Sequence, residues 1–99
     1  MSGEEVIYDV EASGTRSVMS VRRDEHGALV ISGQDLGGAP RAMFGDVDYE
    51  YWITIAGKDA GDLDIATLRQ VANGEPGGSR AVREWLDERG IRFRLESYA

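Results

Sequence analysis

The chain has 99 residues, eighteen Asp and Glu against eleven Lys and Arg, a net charge of −7 and no cysteine. A length of this order makes one domain, residues 1–99, which buries roughly 60–70% of its unfolded surface and folds without covalent staples. The missing cysteine excludes disulfides, thiolate nucleophiles and cysteine metal sites, the acidity opposes nucleic-acid binding, and no apolar run nears the roughly 20 residues that cross a bilayer.

Residues 4–11, "EEVIYDVE", alternate Val6, Tyr8 and Val10 against Ile7, Asp9 and Glu11, which predicts a strand. Ser13 and Gly14 signal a turn. "RSVMSVRR" then sets Val18 and Ser20 against Met19 and Val21, a second strand; "DEHG" is a turn with its glycine late, and "ALVISG" is a third strand. Residues 34–46 are rich in glycine and read as a long loop. In "VDYEYWITIA" the alternation is clean, with Val47, Tyr49, Tyr51, Ile53 and Ile55 on a core face and Asp48, Glu50, Trp52 and Thr54 on the other.

Ile65, Leu68, Val71 and Ala72 recur at helical spacing in "DLDIATLRQVANG", with Asp62 or Asp64 as N-cap and Asn73-Gly74 as a left-handed ending. After "EPGG", Ser79 is the expected N-cap of "RAVREWLDERG", whose Val82, Trp85 and Leu86 form an apolar stripe and whose Gly90 stands at the C-cap. "IRFRLESY" alternates Ile91, Phe93 and Leu95 against Arg92, Arg94 and Glu96, a fifth strand. The order β-β-β-β-α-α-β predicts an α+β fold: a mostly antiparallel five-stranded sheet with two helices on one face.

Little in the chain suits catalysis. His26, the lone histidine, lies in a charged turn, and none of Ser13, Ser17, Ser20, Ser32, Ser79 or Ser97 sits in a nucleophile elbow. Carboxylates on exposed strands and turns lack the desolvation that a general acid needs. The glycines at 33, 37 and 38 do not give the dinucleotide spacing, and Gly57-Lys58 lacks the upstream glycine of a P-loop, where Trp52 stands instead. The expectation is a protein that is not an enzyme and carries no cofactor.

Charge is distributed unevenly: Asp46 to Asp64 holds six acids and one lysine, Arg80 to Arg94 five arginines and three acids. Asp46, Asp48 and Glu50 share one face of a strand, an arrangement open to a divalent metal, although the EF-hand pattern fails at Tyr51 and Gly57. If the fourth and fifth strands are neighbours, Asp48 and Glu50 would instead meet Arg92 and Arg94 across the sheet. Trp52 lies among these acids, opposite the core face. A tryptophan with an acidic rim suits a basic protein partner, unless the 34–46 loop folds back over it with Leu36, Met43 and Phe44.

"GQDLG", "FGDVDYEY" and the closing "WLDERGI" with "ESY" resemble a set of small, acidic, uncharacterised bacterial proteins over roughly residues 27–98. The chain departs from them in "PRAM" and in ending "ESYA" without a second aromatic near Ser97. The resemblance implies a bacterial protein and attaches no activity. With no basic leader followed by an apolar stretch in "MSGEEVIYDVEASG", the expected location is cytoplasmic. The leading expectation is a small protein-interaction module whose Asp46, Asp48, Glu50 and Trp52 bind a basic protein, in the manner of an immunity-type inhibitor of a secreted toxin, by analogy of size and charge. The alternatives are a ligand- or metal-binding domain using the 33–50 loop, and a homodimer or larger homo-oligomer that buries the open sheet face.

Overall fold

The computed structural model of the protein describes residues 3–12, 14–37, 48–61, 63–75 and 77–98. Five strands, β1 (Glu5–Ala12), β2 (Thr15–Arg23), β3 (Leu29–Gly37), β4 (Asp48–Ile55) and β5 (Arg94–Tyr98), form an antiparallel sheet in the order β1-β2-β3-β4-β5. Between β4 and β5 the chain makes the single-turn α1 (Gly57–Ala60), then α2 (Ile65–Ala72) and α3 (Gly78–Glu88). The α+β architecture read from the sequence is present, and β5 finds its place antiparallel to β4 at the sheet edge.

The period-two alternation of the central strands builds the core. Met19 and Val21 of β2, Leu29 and Ile31 of β3, and Tyr51, Ile53 and Ile55 of β4 point to one face and are buried there. Ala60, Leu68, Ala72, Val82 and Leu86 from the helices pack onto that face. Each of the larger aliphatic side chains contributes about 1.5–3 kcal/mol by leaving water.

The turn between β2 and β3 is built on Asp24. Its Oδ1 accepts the backbone N–H groups of His26 and Ala28 at 2.8 and 2.9 Å, and those bonds hold its carboxyl below the usual aspartate range, the Ala28 bond most of all. Arg23 ties this turn to the helical layer, donating to the carbonyl oxygens of Gly27 at 3.0 Å and Leu63 at 3.1 Å.

Helix α2 begins at Asp64, whose Oδ1 accepts the Thr67 N–H at 2.8 Å. Its other end departs from expectation. Asn73 has φ −94° and ψ 2°, so the ending is not left-handed. The Asn73 Nδ2 instead donates to the Ile7 and Arg69 carbonyls, each at 2.8 Å. The Ile7 carbonyl lies in a β-bulge between Val6 and Tyr8, and the bulge overturns the simple alternation read for β1. Ile7 is buried and Tyr8 also packs against the core, while Val6 and Val10 are 53% and 40% exposed. Arg69 pins the same strand through Glu5 and the Val6 carbonyl.

Two further boundaries are corrected. Gly77, with φ 90°, occupies the N-cap of α3 and gives no side-chain cap, because Ser79 lies inside the first turn and hydrogen-bonds the Tyr51 phenol. At the far end Gly90 lies one residue beyond the C-cap Arg89, in the left-handed region at φ 67°. The Gly90 and Ile91 N–H groups donate to the Asp87 and Leu86 carbonyls at 3.1 and 2.9 Å, the paired bonds of a Schellman ending. Since Ile91 is still bonded to the helix, β5 starts at Arg94 rather than at Ile91.

The third correction concerns "GQDLG". Gly33 to Gly37 is strand, not loop, and pairs with β2 and β4. The cause is Tyr51, which stands opposite Gly33 and lays its ring over it: a Cβ on Gly33 would fall 1.8 Å from the Tyr51 ring. Glycine is required here by packing, not by backbone conformation.

Gly33→Ala therefore forces that ring aside, and we expect a loss of about 1–3 kcal/mol, the range for overpacked cores, measured by urea denaturation. In a double-mutant cycle, Tyr51→Ala should absorb most of the Gly33→Ala penalty; additive losses would contradict the contact. Tyr51 also generates an alkaline transition. Burial, only partly offset by the Ser79 hydrogen bond, pushes its phenol up to about 12 from 10.0. Below pH 10 both folded and unfolded chains keep the proton; between 10 and 12 only the unfolded chain releases it, so stability falls as pH rises. The fall attributable to Tyr51 is roughly 2–3 kcal/mol, and Tyr51→Phe should remove it from the pH dependence of the urea midpoint.

Candidate functional site

The helices cover one face of the sheet, and the other is defined by strand register. Opposed residues share a face, so one row runs Val6, Ser20, Ser32, Trp52, Glu96 across all five strands. A second row runs Asp9, Val18, Gln34, Glu50, Tyr98, and a third Glu11, Arg16, Leu36, Asp48. Glu50, Trp52 and the register position of Asp48 thus lie on the face turned away from the helices, as the alternation of β4 requires. Asp46 lies outside the described residues, as do Met43 and Phe44; Leu36, expected in a loop, sits on this face within β3.

Glu50 is half-buried, and its Oε1 accepts the Gln34 Nε2 at 3.2 Å across the β3–β4 pair. Trp52, also half-buried, has Ser32 on one side and Glu96 on the other. Between them is a hollow of about 210 Å³, lined by Glu4, Ser20, Ser32, Gln34, Glu50 and Trp52 together with Val18 and Gly33. Among the described residues lining it, the charged groups are the carboxylates of Glu4 and Glu50, and no cationic side chain is present.

Of the arginines that share this face by parity, Arg22 is exposed two residues along β2 from Ser20, whereas Arg16 and Arg94 are paired. Arg16 meets Asp9 in a two-pronged pair, Nε to Oδ1 at 3.0 Å and Nη2 to Oδ2 at 2.7 Å, which holds the Asp9 carboxyl below its ordinary value. Arg94 stands opposite Thr54 and pairs with Glu96 on its own strand at 3.2 Å. The expected ladder of Asp48 and Glu50 against Arg92 and Arg94 is therefore absent. The register sets Glu50 against Tyr98, and Arg92 precedes the strand. Within α3, Arg80 pairs with Glu84 at 3.2 Å and Arg89 lies 4.3 Å from the centre of the Trp85 ring. Arg80, Arg89 and Arg94 are thus engaged close to their own positions in the chain, not with Glu50.

The other candidates read from the sequence are dispersed. His26 is exposed in the β2–β3 turn, 3.5 Å from Glu25. Among the described residues no three His, Asp or Glu side chains converge as metal ligands, and the metal reading of Asp46, Asp48 and Glu50 includes a residue outside them. The glycine-loop reading loses Gly33 to the core contact with Tyr51. No helix among the described residues is long and apolar enough to cross a membrane.

Sequence reasoning found Glu50 and Trp52 by their parity on β4 but missed Glu4, Ser20, Ser32 and Gln34. Ser20 and Ser32 were within reach, because the Asp24 turn sets Arg23 against Leu29 and hence Ser20 against Ser32. Glu4 and Gln34 had no such signal: Glu4 precedes a bulged strand, and Gln34 stood in what read as a loop. Comparison with known proteins adds no relative, since no family model, curated protein or solved structure matches the chain.

Opposite faces of β4 should answer differently to truncation. Ile53→Ala, in the core, should cost about 2–5 kcal/mol, whereas Trp52→Ala should cost about 1–2 kcal/mol, a partly buried side chain whose loss opens no core cavity. Urea denaturation of both variants checks this; an equal or larger loss at Trp52 would assign it to packing.

Proposed function

We propose that this is a small cytoplasmic protein-interaction module, not an enzyme, which binds a basic protein through the sheet face that carries Glu50 and Trp52. The observation that carries the reading is the hollow beside Trp52, where an aromatic side chain and two carboxylates meet, with no cation among the described lining residues. A net charge of −7 supports it at long range, because it speeds encounter with a positively charged partner. Arg80 and Arg94 are paired locally and Arg89 lies over Trp85, so these three arginines are held away from Glu50. An immunity-type role, in which the module masks a basic toxin surface, is the biological form that best suits such a face.

Asp48→Lys/Glu50→Lys tests the assignment. Both positions face away from the helices, so circular dichroism and the urea midpoint should stay near those of the parent. A basic protein captured from host lysate by the parent at low ionic strength should be released as salt rises. The double variant should bind it at least about tenfold more weakly, a like-charge penalty of the size seen at charged interfaces. Undiminished binding by a folded double variant would remove the partner site from this face.

A further inference from the structure

We propose that the protein forms a twofold dimer by pairing β5 with the β5 of a second copy, which joins the two sheets edge to edge. Among the described residues β5 is bonded to β4 alone and ends the sheet. Its outer row of backbone N–H and C=O groups is therefore open to a further strand. Arg94, Leu95, Glu96 and Ser97 are all exposed along it.

Uncovered apolar surface is the first reason. Leu95 stands opposite the fully buried Ile53, on the side of the sheet that the helices cover, yet it is 43% exposed. The core layer thus runs out at this edge without a lid. Ile91 and Phe93, half-buried against the same core, border an open hollow of about 490 Å³ just before the strand.

Self-complementarity is the second. Opposed residues of an antiparallel pair share a face, so a twofold axis relating two copies of one strand passes between a residue and its own counterpart. Centred on Leu95, that register sets leucine on leucine and places Arg94 of each copy opposite Glu96 of the other. Arg94 and Glu96 already pair along their own strand at 3.2 Å. The dimer completes a square of four alternating charges, in which every group has two neighbours of opposite sign. Moving the centre by one residue would set Arg94 on Arg94 or Glu96 on Glu96. The charges that turn other strands away admit this one.

The third reason is the local charge. Two copies of a chain with net charge −7 repel one another, but Arg92 to Tyr98 holds two arginines and one glutamate, so they can approach here at a surface that is not acidic. The opposite edge offers no such match: a bulge interrupts β1, and its charged residues, Glu5, Asp9 and Glu11, are all acids. Strands this short bury less than the roughly 1,600 Å² of a standard interface, so the dimer is weak and grows with concentration.

Sedimentation equilibrium of the whole chain tests this. Between about 10 μM and about 1 mM, the range suited to a weak interface, the average mass should climb from that of the 10.8 kDa chain toward twice it. Arg94→Glu and Glu96→Arg each set like charges opposite one another at two places, and each should weaken the dimer at least about fivefold. Both positions are exposed, so circular dichroism should stay that of the parent. An equimolar mixture of the two variants regains opposite charges in both cross-strand pairs and should associate where neither does alone. Leu95→Lys should also dissociate the dimer; its side chain lies on the helix side, which separates this pairing from one through the open face. A parent that stays monomeric at the highest concentration, a mixture no more associated than its components, or a dimer that survives Leu95→Lys would overturn the proposal.

Discussion

Both faces of this sheet depend on the Tyr51 ring lying across Gly33. A side chain on β3 at that position would collide with the ring, so the β3–β4 register is steeply favoured at the single alignment in which glycine stands opposite tyrosine. In a sheet of period two, a slip of one residue would turn Ile53 and Ile55 to water and Trp52 into the core. Ser79, in the first turn of α3, lies beside the Tyr51 phenol and partly offsets the effect of its burial. One tyrosine thus sets register and, by parity, the residues presented on the opposite face.

The edges of the sheet are secured by polar groups rather than by burial. At β1 the bulge that brings both Ile7 and Tyr8 toward the core leaves a backbone carbonyl outside the regular ladder, and Asn73 supplies the missing donor. Arg69, one turn earlier on α2, holds Glu5 and the Val6 carbonyl of the same strand. Two side chains at one helix end therefore do for β1 what apolar contact does for β2 to β4. At the other edge, β5 is short and charged, with an internal Arg94–Glu96 pair.

Charge pairing along the chain keeps several arginines from the acids of β4. Three of the arginines at the basic end find partners nearby in sequence: Arg80 with Glu84, Arg89 on Trp85, Arg94 with Glu96. Exposed pairs of this kind add little stability, but they remove the counter-charges that could have reached across to β4. Glu50 is left with a neutral neighbour, Gln34, beside a half-buried indole. Stability and recognition are divided between faces, aliphatic burial on one and polar composition on the other.

The sequence by itself determined most element types, the parity of β2 and β4, the Asp24 turn, an aspartate cap at Asp62 or Asp64 and the α+β class, because each rests on residues adjacent along the chain. It also placed Glu50 and Trp52 on the non-core face, since alternation needs no partner strand. Only the tertiary structure decided the rest. The bulge at Ile7, the end of α2 at Asn73 and the strand character of "GQDLG" all arise from contacts between distant segments: Asn73 with Ile7, Tyr51 with Gly33. The apparent match of acidic β4 to basic β5 failed for the same reason. Local charge counts say nothing of register, and the register set Arg94 opposite Thr54. The hollow at Trp52 is likewise a tertiary object, assembled from three strands and the residue preceding β1, with lining groups 48 positions apart in the chain from Glu4 to Trp52.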